Sequence, residues 1–187
     1  VALVGGLSKF GGGTIHAARL AASAPDLDTD VASDACVAST SPANEGYDVV
    51  AYFSLKPDEA AVLGSSGLTA TYHGYEYYFS SEANRAAFAK SPSSYVPQFG
   101  GFCAYGISSE TFWTWDAVQK SGPEANPEVW MVKDGKLYLF MYELPKRKFL
   151  QGNIDARIEA GREVWASFVG DEPDVFANTG CYWSDVA

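Results

Sequence analysis

The chain has 187 residues, 47 % hydrophobic and 19 % charged, which describes one folded domain with or without an arm and excludes a disordered polymer. With 13 lysines and arginines against 23 aspartates and glutamates, the net charge of −10 argues against nucleic acid and anionic lipid as partners. No apolar run reaches the ~18 residues of a membrane span, so no membrane insertion is expected, and two histidines, His16 and His73, leave little for triad chemistry.

Residues 1–46 are rich in Gly, Ala and Ser, contain no Tyr or Trp, and carry only Lys9 and Arg19 as positive charges. The first residue is Val1, from which removal of an earlier segment and an exported or luminal location are expected. Thr14 to Ala22 has the pattern of a short helix, with His16 in a packing role beside Ala17 and Ala18. Gly11-Gly-Gly13 matches neither a dinucleotide fingerprint nor a phosphate loop and is read as linker glycine. This N-terminal arm is expected to dock on the domain or on a protein partner.

From Tyr47 the pattern tightens. Leu68–Tyr72 and Tyr75–Phe79 flank His73-Gly74, a two-residue hairpin loop, and Gly64-Ser-Ser-Gly67 before them reads as a turn. Ser80 or Ser81 caps a helix over 82–90, which Pro92 stops. A second hairpin joins 128–132 to 137–142 through Asp134-Gly135, the strong type I′ signal, with either Trp130 and Val132 or Val129 and Met131 facing the core. Ile154, Ile158, Trp165 and Phe168 share one face of a helix over 154–169, between Asn153 and Gly170. Two hairpins and packed helices in mixed order predict an α+β fold. No internal repeat stands out.

Two side chains have chemistry that a metal would use. His73, at the first hairpin loop, offers an imidazole, or it fills a left-handed turn position that His tolerates. Cys103 lies between Gly100-Gly101 and Tyr105, where it is either a soft Cu(I) ligand or a small buried hydrophobe; chemistry alone favours the second. No Cys-x-x-Cys pair and no nucleophile–base constellation is present, so a zinc ribbon and an enzyme are not expected.

Several ordered motifs carry a resemblance. Tyr47-Asp-Val-Val-Ala-Tyr-Phe53, Tyr72-His-Gly-Tyr-Glu-Tyr-Tyr-Phe-Ser-Ser-Glu-Ala-Asn-Arg-Ala-Ala-Phe88, Ser91-Pro-Ser-Ser-Tyr95 and Gly100-Gly-Phe-Cys-Ala-Tyr-Gly106 resemble YHS-domain proteins. Pro127-Glu-Val-Trp130, Lys133-Asp-Gly-Lys-Leu-Tyr138 and Asn153-Ile154 are similar to the exported, stand-alone branch of that family. The resemblance spans about residues 47–169. It implies a small non-catalytic α+β domain that binds or handles a metal, copper first, with Cys103 and then His73 as protein ligands. The metal-handling branch carries Phe-Cys-Ser-x-x-Cys, and its two cysteine positions fall here on Ser80 and Asn84. The competing reading is a structural or interaction subunit with no metal site.

The expected organisation is therefore an arm over 1–46, a YHS-like domain over 47–170 and a tail over 171–187. Three cysteines suggest one disulfide and one free thiol. Cys36 and Cys181 flank the family-like region, so they are the expected bridge. Cys103, inside that region, is the expected free thiol.

Overall fold

Two antiparallel hairpins and five α-helices, joined by 3-10 turns, form an α+β fold in the computed structural model, which describes residues 41–171 together with Asp174 and Phe176. The first hairpin pairs β1 (Ser65–Tyr72) with β2 (Tyr75–Phe79). His73 at φ 48° and Gly74 at φ 79° close it. A type I′ turn needs left-handed backbone at both central positions, and Gly and His accept it. Gly64-Ser-Ser-Gly67, expected as a turn, instead leads into β1. Ser65 pairs with Phe79 and the next pair is Thr69 with Tyr78, so the intervening residues bulge out.

Ser81 then caps α1 (Glu82–Lys90), its hydroxyl accepting from the Asn84 amide at 3.1 Å. A glycine turn at Phe99–Gly101 precedes α2 (Ala104–Ser109), and Thr114 caps α3 (Trp115–Ser121). The second hairpin joins β3 (Asn126–Lys133) to β4 (Lys136–Phe140). The expected strand to 142 stops at Phe140, because α4 (Glu143–Leu150) begins there. The third residue of α4 is Pro145. It sits in the helix's first turn, where no intrahelical partner waits for its missing N–H. Last comes α5 (Ile154–Val169), capped by Asn153, whose carbonyl accepts from the Ala156 amide at 3.1 Å, and ended by Gly170 at φ 65°.

The second hairpin is the middle layer. Val129, Met131, Tyr138 and Phe140 face a cluster with Phe102, Ile107, Phe149, Ile158 and Trp165. Trp130, Val132, Leu137 and Leu139 face another with Tyr52, Phe53 and Leu55. The sequence offered one face or the other as the core side; both are. Helix α5 approaches closely because residue 161 is glycine: a Cβ there would lie 2.5 Å from the Phe99 ring.

The first hairpin packs Tyr77 and Phe79 on Val49, Phe88, Val96 and Phe176. Ala43, Asn44 and Gly46 are also buried, as is Phe176. The expected helix over 14–22, the docking of the arm, and Cys36 and Cys181 with their bridge lie outside the described residues. Among the described residues no helix is long and apolar enough to cross a membrane.

Candidate functional site

Among the described residues, a buried charged side chain, Asp48, lies where the metal-handling resemblance points. Asp48 has no exposed surface. A left-handed run at Asn44, Glu45 and Gly46, with φ of 53°, 52° and 82°, turns the chain inward just before it. The 3-10 turn of Ala51–Ser54 then folds the amides of Val50 and Ala51 back onto Oδ1 of Asp48, at 2.9 and 3.2 Å.

The other oxygen, Oδ2, accepts from the Ser80 amide at 2.8 Å, the Ser80 hydroxyl at 2.6 Å and the Asn84 side-chain amide at 2.7 Å. A buried carboxylate has about four lone-pair sites, and here all are taken. Ser80 follows β2 and Asn84 lies in the first turn of α1, so the strand-to-helix junction closes over the carboxylate. The two cysteine positions of the metal-handling pattern thus hold a hydroxyl and an amide, and both donate to Asp48.

Cys103 is 2 % exposed and packs among Phe102, Ala104, Ile107 and Phe140. Burial pushes its thiol up, and the amides of Gly106, Met141 and Tyr105 pull the other way. The structure places it as the small buried side chain that chemistry alone favoured. His73 is exposed at the tip of the first hairpin, its ring 4.2 Å from that of Tyr72. It belongs to the hairpin packed on Phe88 and Phe176, whereas Cys103 bridges to Leu139 of the other hairpin, so the structure does not bring the two together.

Among the described residues no group of three or more His, Cys, Asp or Glu side chains is arranged to hold a metal. A copper ion needs a thiolate or imidazole with a second soft donor. The protonated, buried thiol and the saturated Asp48 knot do not fit one.

No family model matches the chain, and neither does any curated protein or solved structure. The YHS resemblance rests on the motifs themselves.

Two features escaped the sequence reading. The first is Asp48, whose only trace is a lone acid in the apolar run Tyr47-Asp-Val-Val-Ala51. The second is the junction of β4 and α4, where Met141, Tyr142 and Leu144 are 40, 52 and 42 % exposed. Arg147 and Lys148 stand exposed on the same helix, and the Lys148 ammonium lies 5.5 Å from the Tyr105 ring centre. Lys146-Arg-Lys148 is a run of three basic residues in an acidic chain, and that was the available signal.

Proposed function

We propose that this domain is a non-enzymatic interaction module that retains a YHS-like framework, and that its partner face is the β4–α4 junction. The observation that carries the reading is the set of exposed apolar side chains at Met141, Tyr142 and Leu144, with exposed Glu143 among them and Arg147 and Lys148 exposed on the same helix. Single exposed apolar residues are ordinary, but an adjacent set rimmed by charge is the make-up of an interface core and rim. On a chain of net charge −10 a basic rim selects an acidic segment. The partner this face fits is a protein segment carrying both acidic and apolar side chains.

The buried core supports the non-catalytic part. Asp48 has spent its lone pairs on framework donors, and the Cys103 thiol is held protonated away from solvent. An exported or luminal site of action goes with the resemblance.

A photo-crosslinking residue at Leu144 in the full chain, used in its native extract, tests this. One discrete adduct is expected, lost on Arg147→Glu with Lys148→Glu and absent with the probe at exposed Glu163. Adducts that survive the charge reversal contradict the basic rim. A crosslink within the chain itself that maps to Asp26-Leu-Asp-Thr-Asp-Val31 would assign the face to that acidic stretch.

A further inference from the structure

The two hairpins agree position by position. In the first, Ser65 pairs with Phe79, Thr69 with Tyr78, Ala70 with Tyr77, Thr71 with Glu76 and Tyr72 with Tyr75. In the second, Asn126 pairs with Phe140, Trp130 with Leu139, Met131 with Tyr138, Val132 with Leu137 and Lys133 with Lys136. Every residue lies 61 positions before its counterpart, and the bulge falls at the same place. His73-Gly74 and Asp134-Gly135 are both left-handed. Extended caps, Ser81 and Tyr142, lead into helices that start at Glu82 and Glu143.

The cores agree as well. Tyr77, Phe79 and Phe88 have Tyr138, Phe140 and Phe149 as counterparts, and each of the six is at most 1 % exposed. The rings of Tyr77 and Phe88 are inclined by 36°, and so are those of Tyr138 and Phe149.

The correspondence continues upstream with a shorter offset. Asn44, Glu45 and Gly46 form a left-handed run, and Phe99, Gly100 and Gly101 form another, at φ 56°, 62° and 82°. The Tyr47 amide donates to Asn44 O at 2.9 Å and the Phe102 amide to Phe99 O at 3.0 Å. Next, the Asp48 amide donates to Val62 O at 2.8 Å and the Cys103 amide to Pro123 O at 2.7 Å, and Val62 and Pro123 are themselves 61 positions apart.

We infer that residues 43–90 and 98–151 are two copies of one turn–hairpin–helix unit, and that Cys103 is the anchor of the second copy, in the place that Asp48 holds in the first. Asp48 gathers the amides of Val50, Ala51 and Ser80. Cys103 has around it the amides of Tyr105 and Gly106, at the same sequence steps, and of Met141, the counterpart of Ser80.

The different side chains follow from the donors each copy offers. A buried carboxylate must be saturated, and Ser80 and Asn84 supply the two side-chain bonds that complete it. Their counterparts are Met141 and Pro145, which have no side-chain donor, and there the anchor is a neutral thiol. Outside the anchors the copies diverge where their surroundings do. Trp130, Leu137 and Leu139 are buried against Tyr52, whereas their counterparts Thr69, Glu76 and Tyr78 are partly or fully exposed.

Substitutions at residue 103 in the full chain, read by thermal unfolding, test the assignment. An anchor must accept a hydrogen bond, so Cys103→Ser should unfold closer to wild type than Cys103→Val. Cys103→Asp should lower Tm by roughly 10 °C or more. Adding Met141→Ser and Pro145→Asn, which transplants the first copy's donors, should recover at least half of that loss. In wild type, hydrogen exchange should find the Met141 and Ser80 amides protected to a similar degree. Val outperforming Ser, no recovery in the triple variant, or a Met141 amide exchanging like an unstructured one would each overturn the assignment. The exchange measurement decides even if Cys103→Asp does not fold.

Discussion

Phe176 lies over Gly101, and the missing side chain at that glycine, with its φ of +82°, leaves the space the ring fills. The same ring meets Tyr75 at 5.6 Å and Tyr77 at 6.1 Å, and the Tyr72 hydroxyl donates to Asp174 two residues earlier. The chain beyond α5 is thus tied to the first hairpin, although α5 itself packs mainly on α2. Phe176→Ala should cost about 3–5 kcal/mol, the range for a buried aromatic. Denaturant unfolding that shifts by less than about 1 kcal/mol would show that this segment contributes no core.

Asp48 is the side chain on which the first unit depends. Asp48→Ala strands the amides of Val50, Ala51 and Ser80 inside the fold, at about 1–3 kcal/mol for each orphaned donor. Ser80→Ala and Asn84→Ala each remove one donor and should cost roughly 1–3 kcal/mol, as for bonds to a charged group. Equilibrium denaturation gives all three values. An Asp48→Ala protein as stable as either single-donor variant would contradict a saturated carboxylate.

How much of this was legible is clearest at the turns. His73-Gly74 and Asp134-Gly135 announce themselves because few residues accept left-handed backbone, and both hairpins formed there. Asn153 and Gly170 bracket α5 for equally local reasons. Helix α4 was hidden, because Pro145 and three basic residues look like a loop until Phe149 is seen entering the core. The Asp48 knot was hidden because its side-chain donors lie 32 and 36 residues away. The repeat stayed invisible because its copies share little beyond Gly46 and Gly101, Gly74 and Gly135, Tyr77 and Tyr138, Phe79 and Phe140, Glu82 and Glu143, and Phe88 and Phe149. Backbone pairing and burial preserve it; the remaining identities do not.

Two carboxylates give the fold a pH dependence of known sign. Glu45 is exposed as a residue, but partial desolvation of its carboxyl raises it, and burial followed by the charge of Glu45 raises Glu124. A carboxyl whose folded value lies above its unfolded one, about 4.3, favours the folded state when protonated and loses that contribution as pH rises through the folded value. Glu45→Gln should therefore raise the unfolding midpoint at pH 7 and leave it nearly unchanged at pH 4. An equal gain at both pH values would exclude charge as the cause.

Glu45 also has strained backbone, at φ 52° where its counterpart is Gly100. A left-handed side chain costs about 1–2 kcal/mol, partly offset by the greater freedom of glycine in the unfolded chain. Glu45→Gly should stabilise by roughly 0.5–1 kcal/mol at pH 4, where charge no longer contributes. Calorimetry at that pH separates the backbone effect from the electrostatic one, and a loss of stability would show that Glu45 makes contacts worth more than its strain.

The account holds that Asp48, Ser80 and Asn84 are a structural framework and that Cys103 is a packed thiol, so that neither is a copper ligand. Native mass spectrometry after anaerobic Cu(I) loading and desalting tests it most directly, on the full chain with Cys36→Ser and Cys181→Ser so that Cys103 is the only thiol. The account predicts a spectrum of the metal-free mass alone. Retention of about one copper ion per chain, lost on Cys103→Ser, would contradict it.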